Sequence, residues 1–394
     1  MSPSPLSIER YETTAVYTHP DAEVDIVLVH GLNGHPEKTW TATNNTFWPR
    51  DLLPSALKGT QANVLVYGYN ADVYSSMNDG SASDNFIHQH AQTLVANLTA
   101  FRKDEGTFKN PIIWVCHSLG GILVKRALLY SNDVKMTHHE DYRSIFVSTF
   151  GLIFLGTPHS GSDAASWGLM LQAMADAIMP RKLFQSESVL LKTLKRDNET
   201  LANINSHFLD IYQRFRIHMV HENHKTDIKG TKITIVDANS ASTQLPGVTY
   251  YGVEASHSQM CKFASTSAPG FRAVSTAIRE WVCMAPTVIS KRWSVERQDK
   301  TCRKYHEMEE IQETEPPLMP PWSSAMKVSR PRRGSDVSQA TTLVALTPLS
   351  DMPRTPVAGP KMKNFFGLLL EHGLATPEDM VTSIMEQLDA NKRY

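Results

Sequence analysis

The stretch "PIIWVCHSLGGILVKRALL", residues 111–129, decides how the chain is read. Its first part is an apolar block with β-branched residues, the mark of a buried strand, and its last part carries apolar residues at helical spacing. Only His117-Ser118-Leu119-Gly120-Gly121 separates the two, too little for an ordinary loop. A strand that ends abruptly and hands over to a helix points the residue at the joint out of the carboxyl edge of the sheet, where ligands bind in such sheets. That residue is Ser118.

Working outward, "VDIVLV" at 24–29, "NVLVY" at 63–67 and "SIFVSTFGLIFLG" at 144–156 read as further buried strands. Segments with helical spacing, notably 85–103 and 119–130, lie between them. Strand alternating with helix predicts an α/β fold with a mostly parallel sheet and helices on both faces. Residues 163–214 then read as amphipathic helices with no strand between them, expected as a helical cap insertion, with a helical layer packed on the sheet as the plainer reading. Strand patterns resume at 216–220, 232–236 and 248–253, and "GFRAVSTAIREWV" is expected to close the domain near 282.

Composition narrows the classes. The chain of 394 residues is 41% hydrophobic and 20% charged, with 39 basic against 40 acidic residues, so whole-chain charge argues for neither nucleic acid nor an anionic membrane surface. Cys116, Cys261, Cys283 and Cys302 follow no metal-ligand spacing and are expected as reduced thiols. The N-terminus "MSPSPLSIERYETT" lacks a signal-peptide core, and no window reaches the ~20 apolar residues of a spanning helix, so cytoplasmic residence is the expectation. "HENH" at 221–224 lacks the spacing of a zinc-protease motif, "HHED" at 138–141 has ligand-type residues but reads as a solvated loop, and "GLNGHPEKT" does not match a phosphate loop. No cofactor or metal is implied.

Ten of the 22 prolines fall in 284–360, which is expected to be a flexible linker because such a segment buries too little apolar area to offset ordering entropy. Pattern returns in 361–394, where "FFGLLL" and Thr376-Pro377-Glu378-Asp379 before an apolar series predict a small helical pair. Such a pair needs a surface, whether this chain's own domain, a partner or a membrane.

A serine hydroxyl is almost un-ionised at neutral pH, so a nucleophilic Ser118 requires a general base and donors for the oxyanion it creates. Small residues must flank such a joint so that strand and helix can approach. Gly120 satisfies this on one side, while Cys116 stands where the other glycine is usual and adds a Cβ that must fit. His257 in "GVEASHSQMCKF" is the candidate base, since it follows the final strand pattern. "VLVHGLNG" at 27–34 places His30-Gly31-Leu32 after an early strand, making the Leu32 and Leu119 amides the candidate oxyanion donors.

Five motifs in order, "VLVHGLNGHPEKTW", "FWPRDLLP", "VCHSLGGILVKRALL", "IFLGTPHSGS" and "ASHSQMCKF", resemble fungal members of the serine esterase and lipase group of α/β-hydrolases. That group is itself similar to a mammalian serine-active-site lipid-remodelling protein. The resemblance covers about residues 20–283 and implies Ser118 as nucleophile and His257 as base, with Glu222 in "HMVHENHKT" as the acid that orients it. Asp237 in "IVDANSAS" is the alternative acid. An α/β-hydrolase domain over 15–283 is therefore expected, hydrolysing carboxylic esters of lipid-like or other hydrophobic acyl groups through an acyl-enzyme. Its relatives' association with lipid metabolism and internal membranes implies peripheral membrane contact. Two rival readings stand beside it: an acyl-transfer or thioester-cleaving enzyme, and a catalytically silent platform for a binding partner.

Overall fold

Two runs without an exposed residue, Val24–Val29 and Ile112–His117, lie side by side as parallel strands in the middle of a seven-stranded sheet. They belong to a computed structural model that describes residues 7–71, 86–134, 141–159, 170, 173–174, 198–228, 231–236 and 244–314. The chain divides into two compact units, Met1–Pro317 and Leu318–Tyr394, and all of these residues fall in the first.

The elements in order are β1 (Thr13–Tyr17), β2 (Val24–Val29), the short helices α1 (Trp48–Asp51) and α2 (Leu53–Ala56), and β3 (Ala62–Tyr67). There follow α3 (Phe86–Asp104), β4 (Ile112–His117), α4 (Leu119–Asp133), α5 (Arg143–Ser148), β5 (Thr149–Leu155) and α6 (Asn198–Phe208). The series ends with β6 (Arg216–Glu222), β7 (Thr226–Ile228), β8 (Thr231–Ile233), β9 (Val248–Val253) and α7 (Phe271–Thr314). The sheet order is β1-β3-β2-β4-β5-β6-β9; only the edge strand β1 runs antiparallel.

Strand side chains alternate between two apolar layers because the strand period is two. From β4, Ile112, Trp114 and Cys116 enter one layer with α3, α4, α5 and α6, whereas Ile113 and Val115 enter the other with α1, α2 and α7. Both faces are thus covered, as near-continuous apolar strands require. At the amino ends of these strands Asp25 is fully buried and bound to Arg102 at 2.9 Å and to the Asn63 amide at 3.1 Å. Arg102 also donates to the carbonyl oxygens of Thr107 and Asn110.

Three expectations need correction. The run 144–156 begins as helix α5 rather than strand, with only Thr149–Leu155 in the sheet; an apolar run alone does not distinguish a buried helix turn from a strand. The pattern at 232–236 gives the short hairpin strand β8, paired with β7 and outside the main sheet. The last helix does not stop near 282 but runs to Thr314 through Pro286, so residues 284–314 are helical rather than linker. Its buried series Val274, Ile278, Trp281, Ala285 and Ile289 keeps helical spacing across the proline, which removes one backbone donor but not the packing face. The other linker residues and the expected pair at 361–394 lie outside the described residues, as does most of the 163–214 insertion. No helix among the described residues is long and apolar enough to cross a membrane.

Candidate active site

Ser118 joins β4 to α4 with φ 53° and ψ −127°, a backbone conformation that costs a non-glycine residue about 1–3 kcal/mol and persists only where the surroundings enforce it. Enforcement comes from both sides. The Ser118 amide donates to the Leu155 carbonyl at 2.9 Å, and the Thr157 hydroxyl donates to the Ser118 carbonyl at 2.9 Å. A Cβ on Gly120 would lie 2.3 Å from the His30 carbonyl oxygen, so the helix can start this close to β2 only without a side chain there. Cys116 resolves the sequence departure: its thiol is fully buried in the layer that holds Trp114 and Leu119, and burial pushes its ionisation upward, as for an inert packing group.

The structure brings Ser118, His257 and Glu222 together from three elements. His257 Nε2 lies 3.0 Å from Ser118 Oγ, and Nδ1 lies 2.7 Å from Glu222 Oε2. Ser118 and His257 are 0% exposed and Glu222 is 4% exposed, so the whole chain of contacts is shielded from water. Glu222 closes β6, and its second oxygen accepts the Ile235 and Val236 amides at 2.5 and 3.3 Å. The segment carrying the alternative acid thus lends backbone donors to Glu222, while Asp237 itself lies outside the described residues.

Two motifs far upstream hold the loop that carries His257. Trp48 Nε1 donates to the Cys261 carbonyl at 2.9 Å, and the Lys262 ammonium donates to the carbonyls of Lys38 and Thr41. Gly156 leaves room for the imidazole, since a Cβ there would come within 3.0 Å of its Nδ1 and Cε1.

The loop after β2 reaches the elbow as expected. A Cβ on Gly31 would lie 2.8 Å from the Ser118 Cβ and 3.4 Å from the Leu119 amide nitrogen, which places the Gly31-Leu32 turn against Leu119. Neither the Leu32 nor the Leu119 amide donates to a backbone carbonyl among the described residues. His30 shapes this turn: its Nε2 accepts the Tyr69 amide at 3.3 Å, which leaves Nδ1 to donate to the Gly31 carbonyl at 2.9 Å. Tyr69 stacks on the ring at 4.5 Å and donates its hydroxyl to the His30 carbonyl. Burial lowers the His30 pKa to about 4, so the ring stays neutral and the tautomer fixed.

Residues that sequence reasoning did not assign complete the surroundings. His117, the residue before the nucleophile candidate, donates Nε2–H to the His257 carbonyl at 3.0 Å; burial, with His257 beside it, lowers its pKa to about 3. Its contact holds the backbone at His257. Met174, from the expected cap, is fully buried with its sulfur 3.6 Å from Ser118 Oγ. Two helical turns past the elbow, the buried Lys125 ammonium donates to His159 Nδ1 at 2.7 Å and to Asn205 Oδ1 at 2.6 Å. It sits over the rings of Phe154 and Phe208, and burial pushes its pKa down to about 7. The available signal was "GTPHSGS", whose His159 is this lysine's partner. Among the described residues no cluster of three or more His, Cys, Asp or Glu could hold a metal ion.

No family model matches the chain. It is similar to Protein SERAC1 of Danio rerio, 26% identical over an alignment of 279 residues that covers 64% of this chain and 39% of that protein. Protein SERAC1 of Homo sapiens is 23% identical over an alignment of 211 residues that covers 48% of this chain and 31% of that protein. The chain therefore spans well under half the length of these relatives. Among solved structures it is similar to the lipase BlEst2 of Bacillus licheniformis, with TM-score 0.40 and 18% identity over 68% of this chain and 95% of that one. A soluble variant of monoglyceride lipase from Saccharomyces cerevisiae gives TM-score 0.40 and 13% identity, covering 72% of this chain and 98% of that one.

Proposed function

We propose that this chain, whose sheet order and serine elbow are those of the α/β-hydrolase fold, is a serine esterase that cleaves carboxylic esters of hydrophobic acyl groups. The observation that carries the reading is the buried relay of contacts from Ser118 Oγ through His257 to Glu222. In this scheme His257 Nε2 takes the Ser118 proton as Oγ attacks the ester carbonyl, and Glu222 holds the opposite nitrogen as donor and offsets the imidazolium charge. The Leu32 and Leu119 amides face the oxyanion. His257 then gives its proton to the departing alcohol oxygen, leaving an acyl group on Ser118. Water, deprotonated by the same histidine, releases the carboxylic acid and restores the hydroxyl.

A preference for apolar acyl groups is supported by Met174, whose sulfur meets the Ser118 hydroxyl, and by the apolar layer it shares with Ile204 and Phe208, on which Met170 and Ala173 also pack. The test is steady-state hydrolysis of p-nitrophenyl butyrate and p-nitrophenyl dodecanoate. The proposal expects turnover of both with a lower KM for the longer chain, and a loss of about 10³-fold or more in kcat for Ser118→Ala. Equal rates for wild type and Ser118→Ala would overturn it.

A further inference from the structure

A cavity of about 620 Å³ opens at the amino ends of β5, β6 and β9. It is of the size that ligand sites commonly have. Ser118 follows the carboxyl end of β4 and Glu222 ends β6, whereas the cavity is lined by Arg216, the first residue of β6. The six residue steps from Arg216 to Glu222 put the two sites about 20 Å apart, on opposite edges of the sheet.

The chemistry of its wall is one-sided. Arg214, Arg216 and Arg292 line it together, and among the described residues no aspartate or glutamate does. Arg292 donates to the carbonyl oxygens of Thr149 and Arg214, which holds its guanidinium beside Arg214. Burial and the Arg214 charge lower the Arg292 pKa to about 10, while burial and the Arg143 charge lower that of Arg214 against the opposing charge of Glu296. The nearby carboxylate of Glu296 is bound at 2.5 Å to Arg143, and Arg214 lies over the Phe146 ring at 4.7 Å. Arg216 is exposed and makes no contact with a described acid. Beneath the arginines the lining is apolar, from Phe150, Val248, Met284 and Val288, with Met284 45% exposed. An exposed apolar floor in a cavity that three arginines line matches an oxyanion head carried on an apolar tail.

We propose that this cavity binds an amphiphilic anion, with a phosphate or carboxylate head on the three arginines and an aliphatic tail on the apolar floor. The site stands apart from the hydrolytic one and does not depend on it.

Calorimetric titration of the full chain with decyl phosphate, decanoate, inorganic phosphate and decyltrimethylammonium, each below its micellar concentration, tests this. Decyl phosphate or decanoate is expected to bind at least tenfold more tightly than inorganic phosphate or the cationic amphiphile; which of the two binds better identifies the head. Arg216→Ala and Arg214→Gln are each expected to weaken that binding about tenfold, while Ser118→Ala leaves it unchanged. Circular dichroism establishes that the arginine variants are folded. Folded variants that bind as wild type does, or equal binding of the cationic amphiphile, would overturn the proposal. Loss of binding in Ser118→Ala would also overturn it, by assigning the ligand to the serine site.

Discussion

The Glu222 carboxylate faces two groups at once: Oε2 meets His257 Nδ1 at 2.7 Å, while Oε1 accepts the Ile235 and Val236 amides. Those amides fix which oxygen is left for the histidine. In Glu222→Gln the side-chain oxygen would stay with the amides and the NH₂ would face Nδ1, forcing the tautomer whose Nε2 carries a proton and cannot accept one from Ser118. A loss in kcat of about 10³–10⁴-fold is expected, with little change in KM. Asp237→Asn is expected to stay within a few-fold of wild type, and steady-state kinetics on the two variants decides between the acids.

Much of this site could be read from residue order alone. The elbow, the late histidine and the loop after β2 each announce themselves by a strand pattern that stops at a polar or glycine residue. Other parts had no comparable local signal. His117 and Lys125 act through partners 140 and 34 positions away, and a lone buried polar residue does not name its partner. Pro286 and the polar residues after it suggested a linker, yet Trp293 bonding the Ser148 hydroxyl and Glu296 bonding Arg143 show that the helix has a surface to follow. Tertiary packing overrode composition there.

Gly120 should be intolerant of even one methyl group. An exposed helix interior gains about 1 kcal/mol from glycine to alanine, but here the new Cβ would meet two backbone carbonyls, of His30 at 2.3 Å and Val29 at 2.7 Å. Backbone cannot swing aside as a side chain can, so Gly120→Ala is expected to destabilise the protein by about 1–3 kcal/mol. It should also displace the Leu32 turn and lower kcat. Urea denaturation and ester turnover on one preparation would check both effects.

The buried histidines give the protein an acid limit. His30 and His117 titrate near 4 and 3 in the folded chain but near 6.5 when unfolded, so between those values the unfolded state binds more protons. Their contribution to stability is complete above pH 6.5 and is lost as the pH falls toward 4. Thermal melts from pH 7.5 to 4.5 should show a falling midpoint. In His117→Asn, which keeps a donor but cannot titrate, the fall should be shallower.

Asp25 and Arg102 form an ion pair with both side chains at 0% exposure, satisfied further by Asn63, Thr107 and Asn110. Removing one partner leaves an uncompensated buried charge, so Arg102→Met is expected to cost about 3–5 kcal/mol, whereas the double change Asp25→Leu with Arg102→Met recovers most of that loss. Chemical denaturation of the single and double variants measures the difference.

The central claim is that Ser118 is an activated nucleophile, and its most direct test is labelling with a fluorophosphonate followed by mass spectrometry of the digested protein. The account predicts one covalent adduct, on the peptide containing Ser118, with labelling abolished in Ser118→Ala and strongly slowed in His257→Ala. An adduct on another residue, or equal labelling of wild type and Ser118→Ala, would contradict it.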